Sequence, residues 1–357
     1  MKEIGEIRRE TMEGGDKKAE VILVRTLAAD VPKLYNKNGV RCRRVRFNQV
    51  DLSEGKIKSN CFPPMLNWFC DGAMVRSDSG SVVYLIGGLS SRDELTCEPI
   101  DGASSDDVYY KCGCRLDLQK EEEGAMVWEQ IDLPIKNCYI PFCASLFGKL
   151  YEFGFRYLHT PEVFDPSVGF WKELSPLPPE LVGCRVSDGG VISDPQNSRF
   201  LVHLYDGTLY AFYPGSGEWE RNGSLFHWRY RNVVLVDNVL YIHDFKSRGF
   251  LYAYDVARRQ ELKVTWSSKK YEYSNGYRVK VTKYEFDAMF YVGGGHFWMA
   301  TWSPCDGDEG TTSSASTMFF KFKVDRPNNG LNVVCTPVDV QCHDIPNTIE
   351  VTGFLLL

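Results

Sequence analysis

Short runs in which apolar and polar residues alternate recur along this chain. Each ends in an acidic or small turn and is followed, several residues on, by Trp or another large apolar residue. The copies are Phe47–Asp51 before Ile57, Cys114–Asp117 before Trp128, Val163–Pro166 before Trp171, Ala211–Pro214 before Trp219, Tyr252–Asp255 before Leu262, and Phe320–Asp325 before Val333. Alternation at period two predicts strands, and the turn residues predict where they stop. A second pattern precedes most copies: an apolar run that closes on glycine, as in Val83–Gly88, Leu150–Gly154 and Met289–Gly294. Phe200–Leu204 and Leu240–Asp244 keep the apolar run without the glycine. The dipeptides Gly148-Lys149 and Asp237-Asn238 suit the tight turn between the first and second strands of a hairpin.

Each unit therefore reads as a four-stranded antiparallel meander, and a repeat of about 40 to 50 residues points to a propeller. The expected fold is all-β, with six four-stranded blades and seven as the alternative, because the interval from Asp255 to Asp325 is long. Boundaries fall at 65–136, 137–180, 181–226, 227–270 and 271–340, after a flexible tail over 1–20. The remaining blade is split. Strands over Val21–Leu27, Arg43–Val50 and Ile57–Cys61 are completed by Ile349–Leu357, so that residues 21–64 and 341–357 share one sheet. Such closure leaves no open edge for another chain to pair with.

The glycine-closed second strand, the aromatic third strand and the Trp of the fourth resemble the kelch repeat. Glu162-Val-Phe-Asp-Pro166 followed by Trp171 is most similar to plant kelch proteins, and the resemblance covers the chain from about residue 65 onward. It implies blades packed face to face around a channel. It also implies a binding module for a protein or peptide, since many such proteins are substrate receptors for ubiquitin ligases with an F-box ahead of the propeller. Residues 1–20 carry no apolar helical stripe of that kind, so a ligase role here requires a separate adaptor or a further N-terminal segment.

Composition agrees with many short strands: 13% aromatic residues, 31 Gly and 43% hydrophobic residues. The net charge of -6 and scattered basic residues argue against nucleic acid as a partner. Arg41, Arg43, Arg44 and Arg46 alternate with Cys42, Val45 and Phe47, which reads as the solvated face of a strand, with a docking patch as the alternative. The charged N-terminus and the absence of an apolar run of about 18 residues predict no leader and no membrane span, hence a cytoplasmic or nuclear, monomeric protein. The 12 Cys form no tight pairs beyond Cys112 and Cys114 and read as reduced thiols, while Asn222-Gly223-Ser224 reads as a tight turn.

Candidate chemistry is thin. His203 and His243 occupy equivalent second-strand positions but lack a third ligand, Cys112 and Cys114 lack a second pair, and Gly293-Gly-Gly295 before His296 is not followed by a helix. No metal, cofactor or catalytic group is assigned, and a metal- or cofactor-using propeller enzyme is the alternative to a binding protein. The loops are more informative. Loops after second strands and before the next first strand crowd on one face, where a rigid scaffold presents binding residues. There the chain places Arg156, Tyr157 and His159, then Trp228, Arg229 and Tyr230, then Lys246 and Arg248. Arg and aromatic residues dominate binding hot spots. Arg185 and Arg231, each just before a first strand, read either as rim residues or as channel residues bonded to neighbouring backbone. Two polar insertions, Leu89–Asp107 and Ser303–Thr317, project from the same rim and read as flexible loops or phosphorylatable segments.

Overall fold

A computed structural model describes residues 20–28, 45–59, 61, 73–77, 79–87, 113–121, 127–132, 134, 141–155, 157–225, 230–244, 250–267, 271–272, 278–279, 288–304, 314–326, 331–346 and 348–357. Among them the regular structure is β, with three short 3-10 turns and no α-helix. The fold is all-β and propeller-like, built of antiparallel meanders.

Sheet 1 has the order Thr348–Leu356, Val21–Ala28, Val45–Asp51, Lys56–Lys58. Sheet 2 comprises Ala73–Arg76, Val82–Ile86, Gly113–Asp117 and Glu129–Ile131. Sheet 3 comprises Cys143–Leu146, Lys149–Phe155, Tyr157–Asp165 and Phe170–Glu173. Sheet 4 comprises Val186–Asp194, Arg199–Leu204, Thr208–Tyr213 and Glu218–Ser224. Sheet 5 has eight strands in two meanders. Half 5a is Tyr230–Val236, Val239–Asp244, Phe250–Asp255 and Gln260–Trp266; half 5b is Ala288–Gly293, His296–Pro304, Ser314–Asp325 and Asn332–Pro346. A separate hairpin pairs Tyr271–Glu272 with Arg278–Val279.

The strands form as they do because both of their faces are apolar. In sheet 3, Leu150 and Phe164 join Tyr84, Ile86 and Ile131 of sheet 2, while the neighbouring Tyr151 and Phe153 join Phe200, Val202 and Phe212 of sheet 4. Period two sends consecutive side chains to opposite faces, so one strand serves two cores. The same division recurs between sheets 4 and 5a (Leu201, Leu209, Ile242, Tyr254), between 5a and 5b (Tyr241, Leu251, Phe297, Phe320), between 5b and sheet 1 (Trp298, Phe319, Ile22, Val24), and between sheets 1 and 2 (Leu23, Phe47, Leu85, Leu116). The series of clusters thus returns to its start.

Trp171 is buried against Phe164, and its indole N–H donates to Asp132 O at 2.7 Å, tying sheet 3 to the end of the last strand of sheet 2. Trp219 is half-buried and sits edge-on to Phe153 of sheet 3. Trp128 packs on Phe47 of sheet 1 with ring centroids 5.2 Å apart.

The chain's two ends meet in sheet 1. Val21–Ala28 pairs antiparallel with Thr348–Leu356, from Ile22 opposite Leu356 to Ala28 opposite Thr348, and Leu357 N–H donates to Val21 O. Around this seam, Glu20 accepts from Trp298 Nε1 at 2.5 Å and from Lys321 Nζ at 2.7 Å, and Gln341 Nε2 donates to Leu52 O.

Four features depart from the sequence reading. Met289–Gly294 belongs to a first strand, not a second: Gly293, Gly294 and Gly295 all have positive φ and make the first hairpin turn of half 5b. A Cβ on Gly295 would lie 2.7 Å from Val324 O, which explains the glycine. The strand expected to end near 340 runs on to Pro346, so residues 341–346 belong to half 5b rather than to the split sheet. Strand pairing reaches into the insertion placed at Ser303–Thr317, since His296–Pro304 and Ser314–Asp325 pair up to Pro304 opposite Ala315. Finally, the outer strands of 5a and 5b are not separate edges. Lys263–Trp266 pairs parallel with Asn332–Cys335 and fuses two meanders into one sheet.

Removing residues 349–357 exposes the Ile22, Val24 and Leu23 faces at once and opens the seam. Loss of soluble monomer is expected; an unchanged melting temperature and elution volume in the truncated protein contradict the closure. Trp171→Ala is expected to destabilise by about 3–5 kcal/mol in denaturant titration, and a cost below about 1 kcal/mol means that the indole does not bridge sheets 2 and 3.

Candidate functional site

Antiparallel order puts the ends of second strands, the starts of third strands and the starts of the next first strands on one rim. At sheet 3 the turn onto this rim depends on Gly154, whose φ is +108 and where a Cβ would lie 2.4 Å from Tyr157 O. The chain then doubles back with Phe155 opposite Tyr157. Beyond it, Tyr157 bridges to Arg185, Leu158 N–H donates to Cys184 O at 2.8 Å, and Tyr205 N–H donates to Arg185 O at 2.8 Å. Backbone pairing therefore aligns Tyr157, Arg185 and Tyr205 side by side across the join of sheets 3 and 4.

All three side chains are exposed, Tyr157 to 55% and Tyr205 to 46%, and so is Val182, three residues before Arg185 in the chain, to 68%. The Arg185 guanidinium carbon lies 4.6 Å from the Tyr205 ring centroid. A cation–π contact at such a site contributes about 0.5–1 kcal/mol, enough to bias the guanidinium toward one place while its N–H donors still face solvent. Arg185 is thus exposed just before the first strand of sheet 4, with its guanidinium held on an aromatic ring.

Near the row lie two polar pairs, each at a strand irregularity and each with at least one buried member. In sheet 3 the register slips between Leu158 and Glu162, which turns His159 back toward the second strand. Its Nδ1 contacts Thr160 O at 2.7 Å, and its Nε2 contacts Oε2 of the fully buried Glu152 at 3.0 Å. Glu152 Oε1 accepts from Gly154 N–H. Glu162, also fully buried, stands opposite Glu152 in the ladder. In sheet 4 the slip between Val186 and Val191 brings Ser187 Oγ to 2.5 Å from His203 Nδ1. Gly190 permits it, since a Cβ there would lie 2.7 Å from His203 O. Both side chains are buried, and burial pushes the His203 pKa down to about 4, opposed by nearby Asp206.

Of the residues singled out in the sequence, Tyr157 stands at one end of this row and Arg185 at its middle, whereas His159 is turned inward to Glu152. Tyr230 begins the first strand of half 5a, opposite Asp244 and at the same end of its sheet as Arg185. Arg156, Trp228, Arg229, Lys246, Arg248 and the insertion Leu89–Asp107 lie outside the described residues, as does Cys112. His203 and His243 are both buried second-strand residues, and among the described residues no three His, Cys, Asp or Glu gather as a metal site. Asn222 is buried, at the bulge of the last strand of sheet 4. No helix among the described residues is long and apolar enough to cross a membrane. Sequence reasoning missed Tyr205, Glu152 and Glu162. The signal for Tyr205 was its place just past a second strand; a carboxylate inside an apolar run was the signal for Glu152.

No family model matches the chain, and no curated protein matches its sequence. Similar solved structures are distant. One described as a 6-phosphogluconolactonase from Bacteroides fragilis is 12% identical, with a TM-score of 0.44 over 92% of this chain and 83% of that one. A chain in a mitotic checkpoint complex is 7% identical, with a TM-score of 0.43 over 95% and 86%. An extracellular domain of a one-component system from B. thetaiotaomicron is 11% identical with a TM-score of 0.42, covering 90% of this chain and 46% of that one. This chain spans 46% of the length of that extracellular-domain chain, and 66% and 64% of two further matched chains, less than two thirds in each case.

The depressed pKa of His203 carries a pH dependence. Between its unfolded value near 6.5 and about 4, the unfolded chain binds a proton that the folded chain does not, so stability falls as pH drops through that window. The loss from this group approaches about 3 kcal/mol by pH 4. His203→Gln is expected to flatten that part of the stability–pH curve in urea titrations; parallel curves for the two proteins contradict the assignment.

Proposed function

We propose that this chain is a kelch-type propeller of six four-stranded blades, the sixth being the split sheet 1, and that it is a recognition module for a protein or peptide segment docking on the rim of sheets 3 and 4. The observation that carries this reading is the exposed row of Tyr157, Arg185 and Tyr205, aligned by backbone pairing across two sheets, with Val182 exposed three residues before Arg185. Large side chains beyond the strand ends fill no core, yet the backbone that carries them is paired across two sheets. That combination of rigid aromatic area and an accessible guanidinium suits a binding hot spot, where few residues supply most of the affinity. The polar pairs nearby, Glu152 with His159 and Ser187 with His203, support the row by fixing the backbone that carries it.

The reading is of a non-catalytic, monomeric protein of the cytosol or nucleus, and the kelch resemblance adds the proposal that it presents substrates to a ubiquitin ligase through a separate adaptor. Tyr157→Ala, Arg185→Ala and Tyr205→Ala combined are expected to weaken capture of the protein that the wild-type chain retains from its source tissue by at least about 30-fold. The melting temperature is expected to stay within about 2 °C, since the three side chains are exposed. Phe147→Ser with Phe170→Ser, exposed positions in a turn and at a strand start at the opposite end of sheet 3, serves as the control. Undiminished capture by the triple variant, or loss only in the control, overturns the assignment of the rim.

A further inference from the structure

The connection from sheet 3 to sheet 4 reads Leu174-Ser-Pro-Leu-Pro-Pro-Glu-Leu181, and the recognition row uses none of these residues. The topology does not demand its three prolines. The connection from sheet 4 to half 5a, residues 225–229, contains no proline, and neither does that from 5a to 5b, residues 267–287.

What the prolines do is set conformation. Their rings fix φ at about -65° at positions 176, 178 and 179, and a residue before proline is driven out of the helical region, which extends Ser175, Leu177 and Pro178. Pro178 shows the result, at φ -55 and ψ 145, the values of polyproline II. That helix has three residues per turn and rises about 3.1 Å per residue, so Pro176 and Pro179 fall on one edge, about 9 Å apart. Both are exposed, whereas Leu177 between them is half-buried against the core that joins sheets 3 and 4.

The segment is pinned at each end. Leu174 N–H donates to Pro161 O at 2.9 Å, and Ser175 abuts Gly217 in the last hairpin turn of sheet 4, where a Cβ would strike the Ser175 hydroxyl oxygen. Beyond Pro178 a single 3-10 turn, Pro179–Leu181, has Leu181 N–H donating to Pro178 O and delivers Leu181, fully buried, to the same core. Between these anchors the carbonyls of Ser175, Pro176 and Leu177 accept no hydrogen bond from the described residues.

A pinned polyproline II ridge fits one kind of complement: a groove walled by aromatic side chains, which takes proline rings at three-residue spacing from a ligand with little conformational entropy left to lose. Exposed Glu173 precedes the ridge and exposed Glu180 follows it, so the groove that fits carries basic residues at its ends. We propose that Pro176–Pro179 is a docking ridge for a small protein domain of the SH3, WW or EVH1 kind, with an aromatic groove and basic flanks. The ridge is a second interaction surface, and its assignment does not rest on the row.

The full-length chain is titrated into a panel of purified, isotope-labelled SH3, WW and EVH1 domains, and binding is read from the domains' amide NMR shifts. Saturable shifts in the aromatic groove of at least one domain are expected, reversed by that domain's own proline-rich peptide. No saturable shift across the panel, or shifts that the peptide does not reverse, overturns the proposal. Pro176→Ala with Pro179→Ala is expected to weaken the binding at least about tenfold in a chain that still melts cooperatively. Equal binding by a folded double variant overturns the ridge, as does loss of binding when Tyr157, Arg185 and Tyr205 are replaced with the prolines intact. Hydrogen exchange on the unsubstituted chain does not depend on how the variants fold. With the domain bound, the amides of Ser175, Leu177 and Glu180 are expected to gain protection, and protection found only elsewhere overturns the site.

Discussion

Each four-stranded meander described in this protein is apolar on both faces, and the rest of the structure follows from that. A meander such as sheet 3, with Leu150 and Phe164 on one side and Tyr151 and Phe153 on the other, must be covered twice. Adding a neighbour satisfies one face and presents another bare one, so an open row of such sheets always ends in an uncovered core. Bending the row round on itself removes both ends. Here the last step falls to sheet 1, where strands from the two chain termini pair and divide their side chains between Trp298 and Phe319 on one side and Leu85 and Leu116 on the other. Glu20 reinforces the seam by accepting from both Trp298 and Lys321.

A closed apolar scaffold leaves the strand ends as places where polar chemistry is tolerated, and the buried polar groups cluster there. Glu152 with His159 and Ser187 with His203 each sit at a register slip near the rim. A slip lets a strand turn one residue inward without breaking the ladder on either side. At the opposite end, Asp194 accepts from Arg199 at 2.8 Å, and Arg199 reaches Tyr213 OH at 3.3 Å, again joining strands beyond the core. The proposed recognition row occupies the first of these two ends, where sheets 3 and 4 join.

What could be read from the chain beforehand was whatever depends on period two and on turn chemistry. Alternation located most strands, and Trp171 and Trp219 announced packing between sheets because an indole in the fourth strand has a neighbour's core to fill. Pairing of the terminal strands was legible because Val21–Leu27 and Ile349–Leu357 had no other partner in an otherwise paired pattern. Glycine was the less reliable guide. Gly293–Gly295 closes a first hairpin, whereas Gly87 and Gly154 end second strands, and in all three cases the requirement is the same positive φ. The rim was legible at Tyr157, and at Arg185 only as one of two readings. Arg185 becomes a rim residue through its bridge to Tyr157 and its contact with Tyr205, and Glu152 becomes a support through Gly154 and His159. These are relations between strands that no local pattern encodes. The fusion of 5a and 5b likewise depends on two outer strands separated by about 70 positions in the chain meeting in parallel, with Lys263 opposite Asn332.

The claim on which everything else rests is that the chain's two ends are structural members of the closed scaffold. Native-state hydrogen exchange over Val21–Ala28 and Thr348–Leu356 tests it most directly, because ends that merely lie on the surface open by fraying whereas ends that complete a core open only with the whole fold. Closure predicts that the amides of Leu23, Val24 and Val351 exchange with the same free energy as those of Phe200 and Leu201 in sheet 4, and that the two groups shift together in denaturant. Exchange of the terminal strands at free energies well below that of sheet 4, without loss of sheet 4 protection, would contradict it.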